Sequence, residues 1–533
     1  MTEIRSPQRL WLVALIIAWA VDLLFWNTPA GVSYLIWIAL GTVGMFALAL
    51  SEVRRPPAAS YVLAIINLAL AATLLLRSEP FTCFLGGFIS LIGSGMLAMT
   101  LTTGHWLRFR LGDIIIAMLT MVASGIVRGG ELLTRRTAPA GSDAEAPASK
   151  GGTRRHFFPI LRGLLLALPV VAVLAGLLAS ADLVFAERLE GLLDIFKLEN
   201  LFEYIFRLGY VLVLTYVFAG LLAQALSPKG STEAPNPHEP WKARFLGSTE
   251  TFIILGSVVA LFVFFLAIQF QYLFGGQSNI TAAGFTYSDY ARRGFFELVA
   301  VAVLSLSLYL LLSAITRRTE ARQQTTFSGL SILLIALVLV ILVSALQRLL
   351  LYEQAYGFTR LRTYTHIFIP WLALLLLVTI VLEAIRRPGH FGLALVLCVF
   401  GFSFTFPILN VDGLIARLNL DRVRAGQVVE SNNMRGEADL DAHHLTDLSA
   451  DAVPVIAAAY ADPRTGAATR EQLGAVLACH SLKLDNAPDW RSFRFPEATA
   501  RAIFNRLDLS EYLDGEGVKL NGEPFNCYWE YMD

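Results

Sequence analysis

Two polar segments that lie between apolar stretches contain the residue types that bind anions. They cover residues 284–297 and 347–366, and each combines arginines with tyrosines and acidic residues. A guanidinium donates paired hydrogen bonds to a phosphate or a carboxylate, and aromatic rings can stack on it. The predicted ligand-binding residues are Tyr287, Asp289, Arg292, Arg293, Glu297, Arg348, Tyr352, Glu353, Tyr356, Arg360 and Arg362.

The same residues also allow a purely structural interpretation. Short loops on the outer side of a membrane usually contain few lysines and arginines, so arginines in such segments are unusual. A charge below the headgroups costs a few kcal/mol unless it is paired. The acids Asp289, Glu297, Glu353 and Glu203 nearly balance the arginines locally. These acids could therefore pair with the arginines and hold helices together. The sequence leaves both interpretations open.

A catalytic interpretation uses the carboxylates instead. Asp289, Glu297 or Glu353 could act as the base of a membrane transferase with a lipid-linked substrate. A carboxylate does this only if its pKa is raised or a substrate hydroxyl lies within reach. The sequence provides neither condition, so we assign no catalytic residue and lean against an enzyme.

Several function classes lack their motifs in this sequence. It contains no G-x-x-x-x-G-K-[ST], H-E-x-x-H, C-x-x-C or G-x-S-x-G segment. The adjacent His443 and His444 are spaced wrongly for one helical face, so no metal site is predicted. Equal numbers of basic and acidic residues, 42 of each, produce no field that would attract nucleic acid. We predict no cofactor, no nucleotide and no nucleic-acid partner.

Long apolar stretches must position the polar segments. The chain is 56% hydrophobic and 16% charged, with a mean hydropathy of +0.59. A hydrocarbon core about 30 Å thick is crossed by about 20 helical residues. The sequence therefore predicts an all-α, polytopic transmembrane helix bundle of about 11 to 12 spans in the lipid bilayer. The candidate spans are Leu10–Trp26, Val32–Leu50, Tyr61–Leu76, Phe81–Leu101, Leu111–Val127, Phe158–Ala181, Tyr204–Leu226, Thr251–Phe274, Phe295–Ile315, Phe327–Gln347, His366–Ile385 and Phe391–Leu409.

The basic residues of the short loops predict the orientation of these spans. Lysines and arginines of such loops stay on the cytoplasmic side. From Arg154 onward they follow every second crossing, which places the residues after Leu409 outside and the N-terminus in the cytoplasm. Arginines flank both ends of Leu111–Val127. That segment either lies in the interface or re-enters, leaving about 11 crossings, or it is an ordinary span.

Composition divides the chain into four predicted parts. Residues 1–136 form an N-terminal transmembrane bundle, residues 137–157 a flexible cytoplasmic linker, and residues 158–409 a C-terminal transmembrane bundle. Residues 410–533 are more polar and form a small, mostly helical extracytoplasmic domain. This domain contains Cys479 and Cys527. They could form a disulfide in an oxidising compartment, although spacing alone does not decide it.

Four segments in a fixed order resemble a known family. They are Phe285–Leu298, Leu351–Arg362, Asn410–Asn419 and Asp439–Pro454. Together they resemble the bacterial polytopic membrane proteins of domain of unknown function 4173, and more loosely the related 4153 group. The resemblance covers mainly the chain from Phe158 onward. It implies a protein of the bacterial inner membrane and implies no activity.

In proteins of this kind, the segment that starts at Asn410 leads out of the last span. Asn410, Asp412, Arg417 and Asn419 are predicted to dock the C-terminal domain onto the bundle through a helix. The leading functional hypothesis is recognition or transport of an anionic or amphipathic envelope component, such as an anionic lipid or lipid-linked ligand, through an outward-facing polar cavity. The alternative is an envelope sensor or assembly scaffold whose C-terminal domain binds an envelope protein.

Overall fold

Apolar helices dominate the structure. The computed structural model describes residues 7–135, 201–226, 245–274, 295–426, 440–484, 489–515 and 517–527. Within these ranges, ten helices are long and apolar enough to cross a membrane. The predicted polytopic helix bundle is thereby confirmed, and the chain is a multi-pass membrane protein. The predicted span Phe158–Ala181 and the linker 137–157 lie outside the described residues, and the predicted domain boundaries stay predictions.

Six helices lie in the first described range. The helices α3 and α4 are separated only by Ala72 and together form one candidate span, Ala58–Leu76. The helix α6 is not among the ten candidate spans because its apolar part, Gly112–Gly125, is shorter. The two interpretations of this segment, an ordinary span or an interfacial or re-entrant segment, both stay predictions. The helices are α1 Pro7–Phe25, α2 Val32–Ser51, α3 Ala58–Ala71, α4 Thr73–Leu76, α5 Pro80–Thr100 and α6 Leu111–Arg135, with a 3-10 helix at His105–Arg108 before α6.

The next helices include the longest one in the described ranges. The helices are α7 Leu201–Ala225, α8 Ser248–Phe274, α9 Phe295–Ile315, α10 Ala321–Tyr356, α11 Arg360–Ala384 and α12 Phe391–Leu409, with a 3-10 helix at Pro388–His390. With 36 residues, α10 is about 54 Å long and exceeds the hydrocarbon core. The polar residues that follow Gln347 therefore extend the helix. Only residues 357–359 connect it to α11.

The C-terminal region, which we define as residues 411–527, is mostly helical. It contains α13 Val411–Arg424, α14 Ala442–Thr446, α15 Val453–Ala461, α16 Ala467–Lys483 and α17 Phe495–Phe504, with 3-10 helices at Ala450–Ala452, Trp490–Ser492 and Ser510–Tyr512. A small antiparallel sheet follows, with strand order β1 Leu513–Asp514, β2 Gly517–Leu520 and β3 Glu523–Phe525. Val518 of β2 pairs with Leu513 and with Phe525. The sequence predicted a mostly helical domain here and did not predict these strands.

The chain divides into two compact units, which are described separately. The first contains Leu24–Val122 and Gln224–Asp533. In this unit, one continuous apolar core joins Phe406 and Ile367 of the spanning helices to Ile415, Val453 and Leu477 of the C-terminal region. The C-terminal region is therefore packed on the helix ends through shared side chains.

The second unit contains Ser6–Leu23 and Ala123–Ala223. Its helices are joined by a buried ion pair, because both carboxylate oxygens of Asp22 accept hydrogen bonds from Arg207, at 2.8 and 2.7 Å. Tyr210 donates to the same carboxylate, and Glu203 lies 3.4 Å from Arg207. The expected pairing of Glu203 with a helix arginine is present, but Asp22 is the closer partner.

Within the first unit, the helix connections lie at two ends. The docking end is the one at which residues 27–31, 77–79, 357–359 and Asn410 contact the C-terminal region. Among the described connections, those that alternate with these contain more arginines. At that opposite end lie Arg54, Arg55, Arg108, Arg110, Arg317, Arg318, Arg322, Arg386 and Arg387.

Candidate functional site

A buried ion pair holds the first helix of the C-terminal region on the spanning helices. Asn410, with a φ of 51°, ends α12 and caps α13 by accepting a hydrogen bond from the Gly413 amide at 3.3 Å. This turn directs Asp412 at Arg360, which donates to its two oxygens at 2.9 and 2.6 Å. Asp412 is fully buried and also accepts from the Ser449 amide at 2.6 Å. The positive charge of Arg360 is therefore neutralised by the C-terminal region.

A second buried carboxylate binds the connection between α4 and α5. Asp451 Oδ2 accepts hydrogen bonds from the Ser78 amide at 2.6 Å, the Ser78 hydroxyl at 2.8 Å and the Glu79 amide at 3.0 Å. Arg77 lies 3.4 Å from Oδ1 and donates through Nε to the Pro407 carbonyl at 2.8 Å. Residues 373 positions apart in the chain are thus joined by one carboxylate.

Glu79 continues this network into the spanning helices. Its carboxylate caps α5 by accepting from the amides of Phe81 at 2.9 Å and Thr82 at 2.6 Å. The hydroxyl of Tyr364 on α11 donates to the same carboxylate. Capping of the free amides at a helix N-terminus is worth about 1 kcal/mol, and here the cap is shared with a neighbouring helix.

The connection between α10 and α11 is fixed by side chains of the C-terminal region. Asn419 accepts from the Phe358 amide and donates to its carbonyl, both at 2.9 Å. The carbonyl also lies 3.2 Å from His444 Nε2, which donates to it. The adjacent Gly357 has a φ of 77°, and a Cβ there would lie 2.9 Å from the Asn419 amide oxygen. The close approach of α13 thus requires glycine at this position.

Two arginines meet beside Gly357, and we refer to Arg362 and Arg422 as the arginine pair. Arg362 donates to the Gly357 carbonyl at 2.6 Å, and its guanidinium carbon lies 4.1 Å from the centre of the Tyr352 ring. Arg422 is only 8% exposed and donates through Nη1 to the Glu353 carbonyl at 2.5 Å. Its Nη2 is buried without a hydrogen-bond partner in the described part of the chain.

The electrostatics of the arginine pair differ from those of Arg360. Burial, and then the nearby positive charge of Arg362, lower the pKa of Arg422. No carboxylate lies within ion-pair distance of either guanidinium among the described residues. Arg422 keeps its charge at neutral pH because the pKa of an arginine side chain starts above 12. The site therefore concentrates positive charge beside two tyrosines, Tyr352 and Tyr356, whose ring centres are 5.0 Å apart.

A match to a family model covers most of the spanning helices and part of the C-terminal region. The model, described as domain of unknown function (DUF4153), matches residues 62–459. The chain belongs to the DUF4153 family. The closer resemblance to the 4173 group is not shown by this match. No curated protein and no solved structure matches the chain.

This DUF4153 protein places its predicted ligand residues in different surroundings. Arg348, Tyr352 and Tyr356 lie in one helix, α10. Glu353 is 2% exposed and lies 3.1 Å from His366 Nδ1, so its partner is a histidine of α11. Glu297 is exposed in the first turn of α9. Tyr287, Asp289, Arg292 and Arg293 lie outside the described residues.

The docking residues also separate into two groups. Asn410, Asp412 and Asn419 contact other parts of the protein, whereas Arg417 lies on the exposed face of α13. The side chain of Arg417 points away from the helix ends because it is five positions, or about 140°, beyond Asp412.

The Sγ atoms of Cys479 and Cys527 form a disulfide that joins α16 to the residue two positions after β3.

Arg422 and Asp451 are functional candidates that the sequence analysis missed. Arg422 lies in an Arg-rich helix end where an exposed position is the normal expectation. Asp451 lies within one of the four family-like segments, but its partners are in a distant connection. Glu79, whose amide donates to Asp451, did have a local signal in the sequence. It precedes a proline and an apolar run, which is typical of a helix N-terminus.

A buried histidine of the C-terminal region predicts acid sensitivity. Burial lowers the pKa of His480 to about 4, and its Nε2 lies 3.0 Å from the Leu445 carbonyl. An unfolded histidine has a pKa of about 6.5, so the stabilisation is present above that pH and is lost as the pH falls toward 4. We expect the C-terminal region to lose about 3 kcal/mol between pH 7 and pH 4 from this residue.

Thermal unfolding of the detergent-solubilised protein at several pH values measures this loss. His480→Gln should flatten the pH dependence of the melting temperature between pH 6.5 and 4.5. His390→Gln, at an exposed position, should leave the dependence unchanged. An identical pH dependence in the wild type and His480→Gln would contradict the prediction.

Proposed function

We propose that this DUF4153 protein recognises the anionic group of an amphipathic envelope component at the arginine pair. The observation that carries the proposal is the buried Nη2 of Arg422, which has no partner among the described residues and lies in the field of Arg362. A buried cation is costly unless an opposite charge or hydrogen bonds compensate it. An anion bound between the two guanidinium groups would supply both.

The surroundings favour a phosphate or carboxylate on a partly apolar molecule. Two guanidinium groups provide several N–H donors for the oxygens of such a group. Tyr352 and Tyr356 provide aromatic surface, and the site lies at the ends of α10 and α11, both of which are long enough to span a membrane. An anionic lipid or a lipid-linked ligand contains both an anionic group and an apolar part. Transport of this component, through a polar cavity that opens outward, is the extended form of the proposal.

Two features support an outward position of the docking end. Among the described connections between spanning helices of the first unit, those at the opposite end contain more arginines than those at the docking end, and arginines of short loops are usually cytoplasmic. The C-terminal region also contains the Cys479–Cys527 disulfide, and disulfides persist in oxidising compartments. We therefore propose a bacterial inner-membrane protein with a cytoplasmic N-terminus and an extracytoplasmic C-terminal region.

Native mass spectrometry of the full-length protein, purified in detergent, tests the proposal. Arg422→Gln and Arg362→Gln should each reduce the fraction of protein that carries a co-purified phospholipid or lipid-linked adduct by at least about tenfold, since one charge-assisted hydrogen bond is worth about 1.5–3 kcal/mol. Arg417→Gln is the matched control, because it removes an exposed arginine from the same helix as Arg422.

The adduct pattern decides between two functions. Loss of the adduct in the two pair variants but not in Arg417→Gln supports anion recognition. Equal adducts in all four folded proteins would contradict it and would favour a scaffold that acts through its C-terminal region. The close docking of that region through Asp412 and Asp451 is the observation that favours this second candidate.

A further inference from the structure

One part of the C-terminal region is fixed at the start of a spanning helix. The Val32 amide, the first of α2, donates to the Phe493 carbonyl at 3.0 Å. Arg494 donates through Nη2 to the Ala30 carbonyl at 2.7 Å. A Cβ on Gly31 would lie 2.6 Å from the Ser492 backbone, so these two segments of the chain touch through their backbones. Residues 490–495 therefore lie at the level where α2 begins.

That level is marked by aromatic side chains of the spanning helices. The ring of Phe25 lies 6.5 Å from the ring of Tyr34 and 6.0 Å from that of Trp37. Tyrosine and tryptophan are enriched at membrane–water interfaces, where an apolar ring meets the headgroups. The 3-10 helix at Trp490–Ser492 and the start of α17 thus lie beside an interfacial group of aromatic residues.

The exposed face of α17 lacks charge. Trp490 is 60% exposed and Phe495 is 50% exposed, and Thr499 and Ala502 follow Phe495 on the same helical face. The charged residues of the helix point the other way. The side chains of Glu497 and Arg501 are only 23% and 24% exposed and lie 3.8 Å apart. A helix facing water shows the opposite arrangement, with charges outside and apolar residues inside.

The local charge fits an anionic surface. Between residues 489 and 506 the chain has four arginines and two acids, which leaves two positive charges in excess. Basic residues near a bilayer are attracted to anionic headgroups by about 1 kcal/mol each. An uncharged aromatic face flanked by arginines is the pattern of a helix that lies in the plane of the interface.

We propose that Trp490, Phe495 and the uncharged face of α17 insert into the headgroup layer of the leaflet at the docking end, and that this surface prefers anionic phospholipid. The occupant is the lipid of the same membrane, because the backbone contacts to residues 30–32 fix the height of the segment at the start of a span. The C-terminal region then has a second attachment, to the bilayer itself. This attachment is independent of the arginine pair.

Site-directed spin labelling of the full-length protein tests the proposal. Labels are placed at positions 490, 495 and 499 after Cys83→Ala and Cys398→Ala, with the Cys479–Cys527 disulfide retained. The protein is reconstituted in nanodiscs of phosphatidylethanolamine and phosphatidylglycerol. A label at position 464, in the exposed turn after α15, is the matched control. The ratio of oxygen to Ni-EDDA accessibility should be severalfold higher at 490, 495 and 499 than at 464.

Two results would overturn the proposal. Equal ratios at 490 and 464 would place the segment in water, and protection from both reagents at 490 would indicate a protein contact.

Unlabelled protein provides a second measurement. The difference in fluorescence between wild type and Trp490→Phe reports Trp490. Brominated phosphatidylglycerol should quench this difference, and brominated phosphatidylcholine should quench it less. Absence of lipid quenching with strong acrylamide quenching would contradict insertion, and equal quenching by both lipids would contradict the anionic preference.

Discussion

Replacing Asp412 with alanine is expected to destabilise the C-terminal region by about 3–5 kcal/mol, the usual cost of removing one partner of a buried ion pair. Asp412 is fully buried and provides both oxygens to Arg360. Without it, the partly buried guanidinium loses its ion-pair partner, and the Ser449 amide loses its acceptor. Thermal unfolding of the detergent-solubilised protein, monitored together with protease cleavage of the C-terminal region, measures the loss.

The matched control for this prediction is Asp421→Ala. Asp421 is also on α13, but its side chain is 57% exposed and lies 3.6 Å from Arg424, so its removal should cost less than about 1 kcal/mol. Combining Asp412→Ala with Arg360→Met removes both charges and should restore part of the stability. A double variant that is as unstable as the sum of the two single variants would show that the pair is not coupled.

The spanning helices were predictable because their signal is local. Each span is a continuous apolar stretch, and bilayer thickness sets its length without reference to the rest of the fold. The docking helix was also recognisable, from Asn410 to Asn419. The strands of the C-terminal region were not, because β1 to β3 contain only two to four residues each and are too short to show an alternating pattern.

The roles of individual charged residues depend on distant contacts and were less predictable. Arg360 and Arg362 are two positions apart, yet one is neutralised by Asp412 and the other lies over Tyr352 without a carboxylate partner among the described residues. Arg422 and Arg424 are equally close in sequence, and only Arg422 is buried. Composition places such residues in a polar segment, whereas the packing of α13 decides which of them are neutralised.

This separation of charges links the two interpretations of the polar segments. Asp412, Asp451 and Glu79 serve the structural interpretation, since they hold the C-terminal region and the helix ends together. The arginine pair is the group that the proposed anion recognition would use. Docking also creates the pair, because Arg422 reaches Gly357 only when α13 is packed on α10 and α11. If the proposed recognition is right, loss of docking should also weaken binding of the anion.

Asp451→Ala is expected to have the other large effect, because it removes the acceptor for three hydrogen bonds from Ser78 and Glu79 together with the Arg77 contact. Hydrogen bonds to a charged group contribute about 1.5–3 kcal/mol each, and the Ser78 and Glu79 amides would stay buried without an acceptor. We expect a loss of at least about 4 kcal/mol, and a connection between α4 and α5 that opens more often.

Cys83 provides a direct measurement of that opening. Its thiol donates to the Arg77 carbonyl at 3.2 Å, so maleimide labelling of Cys83 should become severalfold faster in Asp451→Ala. Cys398, in α12, is the internal control and should react at the wild-type rate. Asp462→Ala, which removes a partly exposed partner of Arg424, should change neither rate. Faster labelling of both cysteines would indicate general unfolding, whereas an unchanged rate at Cys83 would show that Asp451 does not hold this connection closed.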